Sequence, residues 1–307
     1  MTKTLRELFV NRVRQSDIFR KILDGQARRQ IMVVTAGAGL GKSWLLRVFA
    51  YEAASRALPV VQIDFADGQA YDALSLARRC RDALGPEHFA ALMRAIDEAT
   101  TARVAVSAAG APAVPVSVSM GNENSFTSSG ISISDIGTTV IRDNSFVIQT
   151  DNPIVRQAIE DRITAAFFEC LAALAGRTRV VLLFDSYERA SLEAERWAPS
   201  AADRWVVGEL LARIRDGKLP NVAVVLAGRR VPDFGIEWNE VLGRVSLELL
   251  ECAYIKEYLR ERRGLANITD AQAEVLCQAV AGNPQVMGLI GDNLEQANRP
   301  AMADDEW

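Results

Sequence analysis

The chain has 307 residues, which is enough for one large domain or two domains of ordinary size. Apolar residues make up 49% and charged residues 24%, as in a globular protein, and the net charge of -4 gives no general attraction to nucleic acid or to an anionic membrane. One histidine and four cysteines without a C-x-x-C pair argue against a zinc site and against a Ser-His or Cys-His catalytic pair.

The placement of the cysteines indicates a cytoplasmic protein. The four cysteines are Cys80, Cys170, Cys252 and Cys277. They lie mostly among apolar residues and are expected to be reduced thiols in the core. The polar N-terminal segment does not resemble a signal peptide, and the lack of a run of about 18 apolar residues predicts no membrane span. Residues 1–30 carry eight basic and three acidic side chains, which we interpret as a solvated helix face rather than a binding patch.

Short apolar runs alternate with helical patterns in chain order, which predicts an α/β fold with a parallel sheet covered by helices on both faces. Buried strands are predicted at 31–35, 60–65, 180–184, 222–226 and 245–250. Helices are predicted between these strands at 43–54, within 70–98 and at 153–176. After residue 250 only helical patterns remain, which predicts a small C-terminal helical subdomain.

Residues 104–150 interrupt this pattern. They are rich in Val, Ser, Gly, Ile, Asn and Thr, and poor in Lys and Glu. Alternation at 131–134 and 145–149 predicts a β-rich insertion. A docking surface for another protein and a tolerated surface insertion both explain it, and the sequence does not decide between them.

The segment TAGAGLGKSW, residues 35–44, joins the first predicted strand to a predicted helix, which is the setting of a phosphate-binding loop. It departs from the pattern G-x-x-x-x-G-K-[ST] only at Ala36, where a methyl group is tolerable because the phosphate contacts the later amides. Glycines within the loop let the backbone turn tightly and direct N–H groups at a phosphate. The predicted nucleotide-binding residues are Gly37, Ala38, Gly39, Leu40, Gly41, Lys42, Ser43 and Trp44.

Five side chains are expected to carry the chemistry around the phosphates. Lys42 would reach the β- and γ-phosphates, and the hydroxyl of Ser43 would bind Mg²⁺. Asp185, at the end of the strand VVLLFD, would hold the water shell of the same ion. Glu188 is predicted to polarise the attacking water, with a surface acid or a helix start as the alternative. Arg229 is predicted to sense the γ-phosphate, with a purely structural role as the alternative.

Taken in order, these segments resemble the STAND class of P-loop NTPases, which is related to the AAA+ and NACHT modules. FVNRVRQSDIF, residues 9–19, resembles an N-terminal motif whose arginine, here Arg12, lies close to the nucleotide in the family. AGAGLGKS resembles the Walker A loop, LLFDSYE the Walker B segment and AGR the sensor arginine. AVAGNPQVMGLI resembles the G-x-P motif, in which Pro284 would pack near the adenine. The resemblance covers nearly the whole chain outside 104–150.

The resemblance implies a P-loop domain at 1–250 and a helical lid at 251–307 that together bind ATP or ADP with Mg²⁺. The implied activity is slow ATP hydrolysis that controls a conformational or assembly switch in signalling or defence. Self-association, or a partner protein that contacts the insertion, would supply the assembly. Family members usually continue into a winged-helix domain and a repeat array, so we expect those parts to be absent or to lie on another chain.

Three other functions stay open at the level of sequence. A remodelling ATPase that acts on nucleic acid has support only from the basic N-terminus, and basic and aromatic residues do not interleave as in base-stacking sites. A metabolite kinase would need an acceptor pocket, while a standard GTPase is disfavoured because no N-K-x-D motif occurs. A degenerate module in which ATP is only structural is opposed by the presence of Lys42, Ser43, Asp185 and Glu188.

Overall fold

The computed structural model describes residues 5–101 and 153–297, and between them four short strands; side chains are described for residues 7–98 and 157–297. Among these residues, no helix is both long enough and apolar enough to cross a bilayer. The acidic C-terminal tail and most of the segment 104–150 lie outside the described residues.

Nine strands are present in the described part of the chain. They are β1 (Ile31–Thr35), β2 (Val60–Asp64), β3 (Val116–Ser119), β4 (Ser125–Ser128), β5 (Thr138–Arg142), β6 (Ser145–Gln149), β7 (Val180–Asp185), β8 (Val222–Gly228) and β9 (Leu242–Ser246). Five of them form one sheet in the order β2-β7-β8-β1-β9, and every neighbouring pair is parallel. The predicted parallel sheet is therefore confirmed.

Eleven α-helices occur among the described residues. They are α1 (Leu5–Leu8), α2 (Val13–Leu23), α3 (Lys42–Ser55), α4 (Ala73–Leu84), α5 (Ala90–Thr101), α6 (Pro153–Ala175), α7 (Ala201–Trp205), α8 (Ala212–Arg215), α9 (Cys252–Glu257), α10 (Asp270–Val280) and α11 (Pro284–Ala297). Two π-helical segments, Val206–Leu211 and Tyr258–Arg262, continue α7 and α9. The turn Tyr187–Ala190, directly after β7, is a short 3-10 helix.

Alternate side chains of β1 bury both faces of the sheet. Ile31 and Val33 belong to the apolar cluster formed with α4, α5, α6 and the helices at 201–215. Met32 and Val34 belong to the cluster formed with α2 and α3 on the other face. Because both faces are covered, the strand reads as a continuous apolar run, which explains why the sequence pattern located it correctly.

The fifth sheet strand was predicted at 245–250, and this prediction was wrong by about three residues. The strand β9 ends at Ser246, and its burial alternates because it pairs only with β1 at the sheet edge. The apolar residues after it serve other contacts. Leu247 joins the core beside α3, and Leu250 joins a third apolar cluster among the C-terminal helices. The apolar residues within 245–250 therefore give the sequence pattern of a buried strand, although those that are buried pack into two different apolar clusters.

The C-terminal helices form that third cluster, which includes Leu250, Ile255, Tyr258, Leu259, Val280 and Met287. The expectation of reduced thiols is wrong for two cysteines, because Cys252 of α9 and Cys277 of α10 form a disulfide with a Cα–Cα distance of 5.4 Å. No motif marks this pair; the packing of α9 against α10 brings it together. Cys80 and Cys170 are free and buried, as expected. The domain boundary near residue 250 stays a prediction.

The β-rich insertion is present as two antiparallel hairpin pairs. Strand β3 pairs with β4, and β5 pairs with β6. The alternating segment 145–149 coincides with β6, whereas the segment 131–134 lies outside the described residues.

Candidate functional site

The glycine loop runs from the end of β1 to the start of α3. Gly39 and Gly41 adopt positive φ angles of 74° and 87°, and Gly41 precedes the first residue of α3. Ala36 has no positive φ, and its N–H donates to Gly228 O at the end of β8 at 3.3 Å. The methyl group of Ala36 therefore causes no backbone strain. Together with the all-parallel sheet, this loop defines the α/β fold of P-loop NTPases.

The side chain of Lys42 lies over the loop. Its Nζ donates to Ala36 O at 2.9 Å and to Gly37 O at 2.8 Å. Burial lowers the pKa of Lys42, while the carboxylates of Glu188 and Asp185 act in the opposite direction. The predicted phosphate-binding lysine and the two predicted acidic residues are thus brought together at the C-terminal ends of the sheet strands.

Ser43 and Asp185 form the part of the site that fits a metal ion. The Ser43 hydroxyl lies beside the Asp185 carboxylate and acts to lower its pKa, and the Ser186 N–H donates to Asp185 Oδ1 at 2.8 Å. Asp185 is only 2% exposed, and burial raises its pKa. A buried carboxylate beside a hydroxyl is a hard oxygen donor set that suits Mg²⁺, which commonly keeps water and phosphate oxygens as its other ligands.

No cluster of three or more His, Cys, Asp or Glu side chains occurs among the residues with described side chains. An ion at this position would therefore depend on Ser43, Asp185, water and the phosphates of a ligand. This is the arrangement expected for a nucleotide-bound Mg²⁺ rather than for an all-protein cage.

Glu188 and Arg229 form a closed ion pair. Arg229 Nε donates to Glu188 Oε1 at 2.7 Å, and the Arg229 backbone N–H donates to Glu188 Oε2 at 2.9 Å. Burial acts to raise the pKa of Glu188, but these bonds from Arg229 outweigh it and the pKa lies below its ordinary value. The sequence predicted both residues for the site but not their contact.

Gly228 allows the end of β8 to approach the turn that carries Glu188. A Cβ atom at Gly228 would lie 2.7 Å from Arg230 O and 3.0 Å from Glu188 Oε2. Only glycine leaves room for this approach, which explains the small residue before Arg229 in the AGR segment.

A buried network that the sequence did not reveal supports the turn Tyr187–Ala190. The Tyr187 hydroxyl donates to Asp203 Oδ1 at 2.8 Å, and Trp197 Nε1 donates to Asp203 Oδ2 at 3.1 Å. Asp203 is 4% exposed, and burial raises its pKa. The Tyr187 ring also stacks on Trp197. These contacts anchor the residue directly before Glu188, and no local motif encodes them.

Arg12 connects the glycine loop to the segment that follows β9. Its guanidinium donates to Leu40 O at 3.3 Å and to Glu248 O at 2.7 Å, and the residue is 6% exposed. Burial lowers its pKa. The structure therefore places Arg12 beside the loop, as the resemblance implied, while its contact with a nucleotide stays a prediction.

The segment Gly282-Asn-Pro284 brings the start of α11 against the glycine loop. Gly282 has a φ of 73° and packs against the backbone of Leu250, whose N–H donates to Gly282 O at 2.7 Å. The Asn283 Oδ1 accepts the N–H of Gln285 at 2.9 Å and so caps the first turn of α11. The Gln285 N–H also lies 3.3 Å from Gly39 O, so α11 contacts the loop directly.

A cavity of about 440 Å³ lies between the N-terminal segment, the loop and α11. It is lined by Arg12, Trp44 and Pro284, as well as by the loop residues from Gly39 to Ser43. Its apolar walls, which the sequence did not identify, include Val10, Leu250, Tyr258 and Met287. The volume is within the range of small-molecule sites, and the glycine loop stands at one side of it.

Several of the basic side chains described within the first 30 positions make contacts within the chain. Arg20 pairs with Asp17 and Glu52, Arg28 pairs with Glu240, and Arg29 donates to Asn239 O. These contacts agree with a solvated, self-paired face and give no support to a nucleic-acid surface.

No family model and no curated protein matches the chain. Among solved structures, a chain of the Escherichia coli MS115-1 HORMA:CdnC:Trip13 complex matches with a TM-score of 0.45 and 12% identity, over 91% of this chain and 77% of that chain. A DNA replication initiation factor matches with a TM-score of 0.45 and 11% identity, over 96% of this chain and 67% of that chain. AMPPCP-bound DnaA from Aquifex aeolicus matches with a TM-score of 0.36 and 12% identity, over 96% of this chain and 69% of that chain. Likenesses this distant carry no information about activity.

Proposed function

We propose that this chain binds ATP and ADP with Mg²⁺, hydrolyses ATP slowly, and changes conformation or assembly with the bound nucleotide. The observation that carries the proposal is the convergence of Lys42 and Ser43 of the glycine loop with Asp185, Glu188 and Arg229. These side chains come from three separate parts of the sequence. Their meeting at one end of a parallel sheet is what phosphoryl chemistry requires.

The base of the nucleotide would occupy the apolar part of the cavity, and the phosphates would lie on the loop. The ammonium of Lys42 would leave the carbonyls of Ala36 and Gly37 to bind phosphate oxygens. Ser43 and Asp185 would hold Mg²⁺, which when bound neutralises phosphate charge. Glu188 would orient and polarise the attacking water.

The lid contacts support a switch. The N-terminus of α11 lies against the loop at Gly39, and Pro284 packs near Gly41. A ligand on the loop therefore changes the surroundings of the first turn of α11, and the rest of the lid follows through the third apolar cluster. STAND-type signalling or defence in the cytoplasm, and assembly through like chains or a partner at 104–150, are parts of this proposal.

Native mass spectrometry and small-angle X-ray scattering of the protein alone, with Mg²⁺–ADP and with Mg²⁺–ATP test the switch. We expect the ATP form to differ from the ADP form in mass or in radius of gyration, and Lys42→Ala to abolish the difference. Lys218→Ala, an exposed lysine elsewhere, is the matched control. Identical profiles in all three conditions would refute the switch.

A further inference from the structure

We propose that Arg229 binds either Glu188 or the terminal phosphate of a bound triphosphate, so that Glu188 is restrained until a triphosphate takes the guanidinium. This inference rests on the proposed function, because it concerns the regulation of the same site. It adds that the predicted base, Glu188, and the terminal phosphate compete for the predicted phosphate sensor, Arg229.

The two members of the pair differ in freedom. The Glu188 side chain is 12% exposed, whereas the Arg229 side chain is 52% exposed. Glu188 sits on the turn after β7, which Tyr187 anchors through its hydrogen bond to buried Asp203. The arginine is therefore the partner that moves, and the glutamate is the partner that stays.

The two bonds between these residues also differ in kind. One is made by the guanidinium and the other by the backbone N–H at the end of β8. When the guanidinium leaves, the N–H continues to hold Oε2, because Gly228 keeps the backbone of β8 close to Glu188. Oε1 alone is released, and a carboxylate oxygen without its cationic donor is free to accept a hydrogen bond from water. The exchange thus frees one oxygen without losing the position of the side chain.

A phosphate on the loop would lie within reach of the Arg229 charge. Arg229 directly follows Gly228, whose carbonyl accepts the N–H of Ala36 at the start of the loop at 3.3 Å, and the Lys42 ammonium lies over the same loop. Guanidinium forms strong charge-assisted bonds with both carboxylate and phosphate, so the two acceptors compete for the same donor. A diphosphate lacks the terminal group, which leaves the pair with Glu188 closed.

The competition predicts a coupling that binding measurements reveal without any turnover. Isothermal titration calorimetry with the non-hydrolysable analogue AMPPCP and with ADP, both in Mg²⁺, is carried out on the wild type, Glu188→Gln, Arg229→Met and the double variant. Arg230→Met is the matched control, because this neighbouring arginine donates to Glu193 O instead of Glu188.

We expect Glu188→Gln to tighten AMPPCP binding about threefold to tenfold, since the competing carboxylate is gone, and to leave ADP binding nearly unchanged. We expect this gain to vanish in the Arg229→Met background. Arg229→Met alone lowers the preference for AMPPCP over ADP by about tenfold, and Arg230→Met does not.

Two results would overturn the inference. One is a gain from Glu188→Gln that persists without Arg229, which would mean that only charge repulsion was relieved. The other is unchanged AMPPCP binding in Glu188→Gln. Thermal melts without nucleotide verify folding; if Glu188→Gln is unstable, Glu188→Ala, which also removes the competing carboxylate, takes its place in the same comparison. Failure of the wild type to bind either nucleotide would instead refute the proposed function.

Discussion

Replacement of Gly282 by alanine tests the packing of the turn before α11 against the segment that follows β9. At this residue φ is +73°, and a Cβ atom would lie 2.7 Å from both Leu249 Cβ and Leu250 O. The left-handed conformation costs a residue with a side chain about 1 kcal/mol, and overpacking against fixed neighbours adds about 1–3 kcal/mol. Gly282→Ala should therefore destabilise the protein by about 2–4 kcal/mol.

Gly288 provides the matched control because it lies in α11 and a Cβ there meets nothing within 4 Å. Alanine at a helical position is favoured over glycine by about 1 kcal/mol, so Gly288→Ala should stabilise the protein rather than destabilise it. Urea unfolding followed by far-UV circular dichroism measures both variants, and AMPPCP titration checks the site. A Gly282→Ala protein that is as stable as the wild type would refute the close packing inferred at this position.

Three further predictions follow from particular side chains. Reduction of the Cys252–Cys277 disulfide, whose sequence separation is 25, should cost about 3 kcal/mol in a thermal melt, and the double serine variant should not respond to reductant. Trp44 lines the cavity and is 41% exposed, so nucleotide should change its fluorescence; Trp44→Phe should abolish the change but retain binding. Tyr187→Phe removes a donor to buried Asp203 and should cost about 1–3 kcal/mol in urea unfolding, and a cost near zero would contradict the network.

The parts of the fold that sequence predicted are those with local signals. The strand β1, the loop after it and the start of α3 follow from a continuous apolar run, three glycines and a helical pattern within 25 residues. The bounds of β9 were predicted wrongly because buried and exposed residues alternate along this edge strand, while the apolar residues after it are buried by other elements. The disulfide was missed because helix packing, rather than spacing, brings Cys252 to Cys277.

The candidate site shows the same division. Lys42 and Ser43 were identified from the loop pattern, and Asp185, Glu188 and Arg229 from their positions at or just after strand ends. The structure brings the five residues together. The contacts between them depend on strand order, since β8 lies between β7 and β1. A sequence pattern does not contain that order, so neither the ion pair nor the apolar walls of the cavity followed from it.

The central claim is that the loop is a nucleotide site, and calorimetric titration of Mg²⁺–ATP tests it most directly. The wild type and Lys218→Ala should bind ATP alike, while Lys42→Ala should lose at least about tenfold in affinity because one charged phosphate contact is removed. Equal binding by the wild type and Lys42→Ala, or no binding by the wild type, would contradict the account.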